Sequence, residues 1–387
     1  MLEFILADLR RNWIGAAALA LLVALSTALS VAVILEERAL RLGSARAAAP
    51  FDLVIGAPGS ETQLVLSSIF LQPAPLPLLK DDILARLHAD PRVAMAVPVG
   101  FGDSVGPFPV VGTLPEAIAM LGGLGEGKGF ERPHSAIAGS AVTYPLGTTF
   151  QPNHGSPGQA SAVHEDVLYR IEGRLAPTGT AWDRAILVPI ESVWETHVHH
   201  DEGNEHGDGP HGLPAIIVKP GTIADAYQLR QEYRTDETLA VFPGEVLTRL
   251  YGTLGDVRGI LVAMSIGTQI IVGAAILMIV AVHVLQRRRQ IGALRAFGAS
   301  RPIIFAIVWT EVTLVLGAGV LFGHGLGYFA AEFISDHLSN TAGISLPVEF
   351  RREDLLGLAA TFLIAALATL LPAWAGCRQS PAEALRA

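Results

Sequence analysis

The sequence has 387 residues, of which 51% are hydrophobic and 16% are charged, and its mean hydropathy is +0.44. Because soluble globular proteins carry roughly 25% charged residues, this deficit indicates a membrane protein. The net charge of −9 argues against nucleic acid as a partner, and the single cysteine, Cys377, excludes an intramolecular disulfide.

The first predicted element is a transmembrane helix from Trp13 to Leu35, an apolar run without a charged residue. A bilayer core of roughly 30 Å needs about 20 apolar residues in a helix. The run is longer than the roughly 7–15 apolar residues of a signal peptide, so we predict a retained anchor. Residues 36–46 could extend this helix outward.

Residues 36–258 are polar, rich in glycine and proline, and predict a mixed α+β domain inserted between the first and second membrane helices. Segments 122–135 and 145–161 are predicted to be loops or segments of low order. Short strand-like runs lie at 51–56, 93–99, 108–112, 185–190 and 214–218, and helical patterns at 80–89 and 222–235.

The sequence GGLGEGKG at 122–129 contains the beginning of a phosphate-binding loop. Gly129 stands where such a loop has a serine or threonine for magnesium, and no apolar strand precedes it. We therefore predict a surface loop and no nucleotide site. The chain shows no catalytic motif and is not expected to be an enzyme.

A histidine-rich segment follows, with carboxylates interleaved between its imidazoles. Both ligand types suit zinc, but the spacing is irregular and no H-E-x-x-H pattern occurs. Two interpretations stay open, a loose zinc-binding loop or a solvated polar loop. The candidate ligands are His197, His199, His200, His206 and His211.

Three further membrane helices are predicted at 259–285, 303–331 and 355–376. After Pro243 a helix-compatible sequence runs directly into the second of them, which predicts a helical stalk. In the third, Gly319, Gly323 and Gly327 repeat every fourth residue, a spacing that permits close helix packing.

The distribution of arginine predicts the orientation. The loop 286–302 contains several arginines and no acidic residue, so it is expected in the cytoplasm. Both termini, including the tail 377–387, then lie in the cytoplasm. Segments 36–258 and 332–354 lie outside.

The loop sequence QRRRQIGALRAFGASR and the C-terminal RQSPAEALRA resemble the signatures of the MacB/FtsX-like permeases of type VII ABC transporters. Gln290 departs from the glutamate usual in that family. The resemblance implies a multi-pass protein of the bacterial inner membrane. It also implies that the loop is a coupling helix, formed by Arg287, Arg288, Arg289, Ile291, Leu294, Arg295, Phe297 and Gly298.

The resemblance further implies a cytoplasmic ATPase dimer that holds ATP and magnesium, so no cofactor is expected on this chain itself. Zinc on the histidine-rich segment stays the open alternative considered above. A second copy or a paralogue would complete the permease, and a periplasmic lipoprotein or adaptor could join it. Three functions are compatible with this: export or extraction of a lipoprotein, peptide or small hydrophobic compound; regulation of an envelope enzyme by mechanotransmission; and a zinc-linked envelope system. The large ectodomain favours the first over the second.

Overall fold

The computed structural model describes residues 2–80, 82–155, 167–198, 212–252, 298–370 and 373–374, with isolated positions between 259 and 278. Two compact units make up the chain. The helical unit comprises Met1–Ala39, Gly255–Asp336 and Val348–Ala387, and the sheet unit comprises Leu40–Leu254 and His337–Pro347.

The labelled helices are α1 (Leu2–Arg11), α2 (Trp13–Ala48), α3 (Glu61–Ser68), α4 (Asp82–Ala89), α5 (Glu116–Met120), α6 (Ile190–Val198), α7 (Ile223–Glu232), α8 (Arg301–Ala342) and α9 (Arg352–Ala368). Residues 243–252 are also helical. The strands are β1 (Leu53–Gly56), β2 (Val93–Val105), β3 (Phe108–Thr113), β4 (Leu124–Gly127), β5 (Ser135–Ala138), β6 (Thr149–Phe150), β7 (Asn153–His154), β8 (Tyr169–Leu175), β9 (Ile186–Pro189), β10 (Ala215–Pro220) and β11 (Leu239–Val241).

Within the described part of the chain, α2 and α8 are long and apolar enough to cross a membrane. They contain the first and third predicted spans. The helix α2 continues to Ala48 and so includes residues 36–46, which were considered as an extension of the first span. The fourth predicted span is helical over Arg352–Ala368. The second lies outside the described residues, apart from isolated helical positions, so the arrangement of four spans stays a prediction.

The helix that contains the third predicted span continues beyond the predicted end of that span. The helix α8 runs past residue 331 to Ala342. No glycine or proline interrupts the sequence between Gly327 and Gly343, and Gly343 then ends the helix with a φ of +73°. The last part of α8 thereby belongs to the sheet unit.

The prediction of a mixed α+β domain within residues 36–258 is confirmed. The described strands form one sheet in the order β11-β1-β10-β2-β3-β9-β5-β8-β4, with β6 beside β8 and β7 beside β2. The long β2 pairs with β10 along its first half and with β3 along its second half. Trp182 is fully buried in the core, with its ring 6.0 Å from that of Phe51.

The two predicted loops are wrong in part, because each contains strand. In the glycine-rich segment 122–135, β4 pairs with β8 although all four of its residues are exposed, so no hydrophobic alternation marked it. A Cβ at Gly127 would collide with the carbonyl oxygen of Glu172, which explains the glycine. In the segment 145–161, the strands β6 and β7 are two residues each, too short for a periodic signal.

Candidate functional site

The candidate site consists of the contacts that hold the membrane-directed helices, and the first is a glycine seam along α8. Gly319, Gly323 and Gly327 form this seam and pack against α2. A Cβ on each would lie 2.7, 2.6 and 2.7 Å from the carbonyl oxygens of Ala20, Ala24 and Ala28, in that order. Real Cβ atoms essentially never come that close, so the two backbones approach to a distance that glycine alone permits.

A largely buried ion pair joins α2 to the beginning of α9. The guanidinium of Arg38 donates from Nη1 to Asp354 Oδ2 and from Nη2 to Asp354 Oδ1, each at 2.9 Å. Arg38 Nη1 also donates to the carbonyl oxygen of Glu349 at 3.3 Å. Asp354 accepts in addition from the backbone N–H of Arg351 at 2.7 Å, which caps α9. Two parallel hydrogen bonds fix orientation as well as distance.

In the sheet unit, Arg184 holds the C-terminal end of α8, and we call this contact the arginine clasp. Its Nη1 donates to the carbonyl oxygen of Asn340 at 2.7 Å and also to that of Thr341. The last carbonyl groups of a helix lack intrahelical partners and carry the negative end of its dipole. A guanidinium at this position satisfies both requirements.

The turn 178–184 positions the clasp. The buried carboxylate of Asp183 accepts from the backbone N–H groups of Thr178 and Gly179, at 2.9 and 2.8 Å. The carbonyl oxygen of Gly179 in turn accepts from the N–H of Ser345, at 3.2 Å, just beyond the end of α8. The turn therefore grips the chain on both sides of Gly343.

The end of α2 and the helical residues 243–252 meet within the same unit. Tyr251, in the helical residues 243–252, donates its hydroxyl to Ser44 Oγ of α2 at 2.6 Å. A Cβ on Gly43 of α2 would lie 2.6 Å from the carbonyl oxygen of Ser345. The end of α2, the end of α8 and the segment before the predicted second span are thus all anchored in the sheet unit.

The predicted coupling residues lie outside the described residues, with the exception of Gly298. That glycine has a φ of +96° in the turn before α8, a conformation that other residues rarely adopt. The coupling role of the loop stays a prediction.

Four of the five candidate zinc ligands also lie outside the described residues. The backbone of His197 belongs to α6. Within the described ranges, no group of three His, Cys, Asp or Glu side chains is placed to hold a metal ion. Zinc binding stays a prediction.

Comparison with known proteins gives a family match at the C-terminal end. Residues 262–381 match the family described as FtsX-like permease C-terminal. An uncharacterised ABC transporter permease of Methanocaldococcus jannaschii is 26% identical over 234 residues, which cover 57% of this chain and 56% of the relative. The alignment thus spans little more than half of that relative. Both findings confirm the resemblance to MacB/FtsX-like permeases.

Two solved structures resemble the chain more distantly. The periplasmic region of MacB from Actinobacillus actinomycetemcomitans has a TM-score of 0.34 at 10% identity, covering 52% of this chain and 95% of that one. The extracellular domain of the ABC-type transporter YknZ from Gram-positive bacteria has a TM-score of 0.29 at 12% identity, covering 49% and 98%.

Proposed function

We propose that this chain, which carries the FtsX-like permease domain of the MacB/FtsX-like family, is the transmembrane subunit of an ABC transporter. ATP is hydrolysed by a separate cytoplasmic ATPase dimer, which holds ATP and magnesium. The family match over residues 262–381 supports this assignment, because it contains the whole arginine-rich loop 286–302.

The observation that carries the proposal is the continuous helix α8, which leads from that loop into the sheet unit. The helix α8 begins at Arg301, at the end of the loop, and continues without interruption for 42 residues. At about 1.5 Å per residue, this corresponds to roughly 60 Å. Its last turn is held in the sheet unit by the arginine clasp. A displacement of the loop by the ATPase therefore reaches Asn340 along one continuous helix.

The contacts inside each unit let such a displacement move several helices together. The glycine seam and the pair between Arg38 and Asp354 bind α8, α2 and α9 into one packed group. The clasp and the contact between Tyr251 and Ser44 anchor the membrane-directed segments in the sheet unit. Movement of the ectodomain then drives export or extraction of an envelope substrate, such as a lipoprotein, a peptide or a small hydrophobic compound. Two copies of this chain, or one copy and a paralogue, form the permease.

The experiment places an acidic side chain in the coupling loop. The chain and its ATPase, expressed together and reconstituted in liposomes, are compared with the variants Leu294→Asp and Phe297→Asp. Both variants should lose most of the permease-dependent ATP hydrolysis, because an unpaired carboxylate would be buried in an apolar docking cleft. Burying even a neutral polar group without a partner costs on the order of 2–7 kcal/mol, and a charged group costs more.

The matched control is Ser300→Asp, which adds the same charge in the same loop. Ser300 is exposed and directly precedes α8, where aspartate is a favourable helix cap. This variant should retain activity. Normal ATP hydrolysis by the Leu294 and Phe297 variants would show that the loop is not the coupling element.

A further inference from the structure

The sheet unit contains a cavity of about 290 Å³ between the proline-rich segment 71–78 and the strands β2 and β3. Its lining is mainly apolar and includes Leu71, Leu76, Phe101 and Val111. Prolines at 73, 75 and 77 fix the backbone φ of the outer wall. The wall is therefore stiff, as expected of a preformed binding site.

Two buried polar side chains interrupt this apolar lining. Among the described lining residues, Asp103 alone is charged, and its side chain is only 5% exposed. One of its oxygens, Oδ1, lies 3.4 Å from Nδ1 of His154. Ser67 is 1% exposed, and its hydroxyl has no hydrogen-bond partner in the described part of the chain. Buried polar groups are as a rule paired, so this hydroxyl is suited to a ligand.

The backbone of the wall is strained at Leu71, which has a φ of +51°. Among the described residues other than glycine, it is the one with a positive φ. Such a conformation costs energy and persists where the surrounding structure enforces it, commonly at binding sites. Leu71 adopts it at the point where the chain leaves α3 to enclose the cavity.

We infer that this cavity binds a small apolar molecule that carries one ammonium group. The apolar walls suit a short alkyl or aryl body, and the Asp103 carboxylate suits a single cation, with the Ser67 hydroxyl as a second polar contact. The volume of about 290 Å³ lies just below the roughly 300–1,000 Å³ typical of ligand pockets, which selects for small compounds. Binding itself is independent of the proposed function. Its role as the substrate site of a transporter rests on that function.

The position of the cavity connects a bound ligand to the end of α8 through a shared wall. A neighbouring cavity of about 430 Å³ shares the wall formed by Leu71, Gln72, Pro73 and Pro109. The neighbouring cavity is also lined by Arg184 and Thr341, which belong to the arginine clasp. A ligand that presses on residues 71–73 therefore acts on the wall that faces the end of α8. We expect its binding to change the rate of ATP hydrolysis by the partner ATPase.

Binding is tested with the full chain in nanodiscs of zwitterionic lipid, without ATPase, by ligand-observed NMR with 2-phenylethylamine. The comparison compounds are 2-phenylethanol and 3-phenylpropanoate, which keep the apolar body and change the charge. The variant Asp103→Asn should weaken binding of the amine by about tenfold, because a charge-assisted hydrogen bond is lost. The alcohol should bind both forms equally weakly. The control Asp236→Asn removes an exposed carboxylate of the same unit and should bind the amine normally.

Because Asp103 also faces His154, a second variant leaves both residues untouched. Ala74→Trp, at a half-buried position of the wall, should fill the cavity and abolish binding while the melting temperature stays unchanged. Equal binding of the amine to wild type and both variants would indicate partition into lipid and overturn the inference. Equal affinity for amine, alcohol and acid would overturn it too. Failure of the coupling-loop experiment would refute the transporter but leave a measured binding site in place.

Discussion

At the scale of single residues, the side chain of Arg184 holds the end of the long helix α8 within the sheet unit. Arg184 donates to the carbonyl oxygens of Asn340 and Thr341, and its aliphatic stem packs against Gly343. A Cβ on Gly343 would lie 2.8 Å from Cδ of Arg184, so the glycine leaves room for the guanidinium to reach the helix end. The clasp depends on both residues.

Replacing Arg184 with alanine should loosen the chain around Gly343. A hydrogen bond from a charged donor contributes about 1.5 kcal/mol, so local opening should become about tenfold more frequent. Hydrogen exchange measured by mass spectrometry on peptides covering 340–347 would show this as faster deuterium uptake. The control Arg170→Ala removes an exposed arginine of β8 in the same unit. Equal uptake in the two variants would show that the clasp does not hold the helix end.

Other contacts at this scale could not be predicted from the sequence, because they join distant segments. Arg38 and Asp354 are 316 positions apart, and only the packing of α2 beside α9 brings them together. Asp183 and Arg184 lie in a short turn without any periodic pattern. The spacing of Gly319, Gly323 and Gly327, by contrast, is local, and a four-residue repeat in a helix defines a face before any partner is known.

At the scale of elements, the strands that were predicted are those with buried, apolar sequences. The runs at 51–56, 93–99 and 214–218 became β1, β2 and β10, whose paired residues lie in the core. β4 escaped prediction because its side chains are exposed and it is held mainly by backbone pairing with β8. Hydrophobic periodicity identifies burial, so strands without buried side chains give it no signal.

For the glycine seam we predict that alanine lowers the stability of the protein at one position and raises it two residues away. Gly323→Ala should destabilise the chain, because its Cβ would lie 2.6 Å from the carbonyl oxygen of Ala24 and overpacking costs about 1–3 kcal/mol. Gly325 has no atom within 4 Å of its Cβ position, so Gly325→Ala should stabilise α8 by up to about 1 kcal/mol through helix propensity. Thermal unfolding in detergent measures both. A Gly323 variant as stable as the Gly325 variant would contradict the close packing of α8 and α2.

At the scale of the whole molecule, the chain alternates between its two units. It leaves the helical unit along α2, forms the sheet, returns through the segment after residue 252 and re-enters the sheet unit at the end of α8. The end of α2, the end of α8 and the helical residues 243–252 therefore all belong to the sheet unit. In the proposed function, a displaced helix passes its movement to the sheet unit through these contacts.

The proposed transporter function requires the sheet unit to lie outside the cytoplasm. The native cysteine of the chain provides a control for a test of that orientation. Cys377 is the single native cysteine and is predicted to be cytoplasmic, so a membrane-impermeant maleimide should label the wild-type protein only after cell lysis. Ser161→Cys introduces a thiol between β7 and β8, in the predicted extracytoplasmic domain, and should add labelling in intact cells. The orientation follows from the arginines of the loop 286–302. Labelling of wild-type Cys377 in intact cells, together with an inaccessible Cys at 161, would reverse it and exclude the loop as a docking site for a cytoplasmic ATPase.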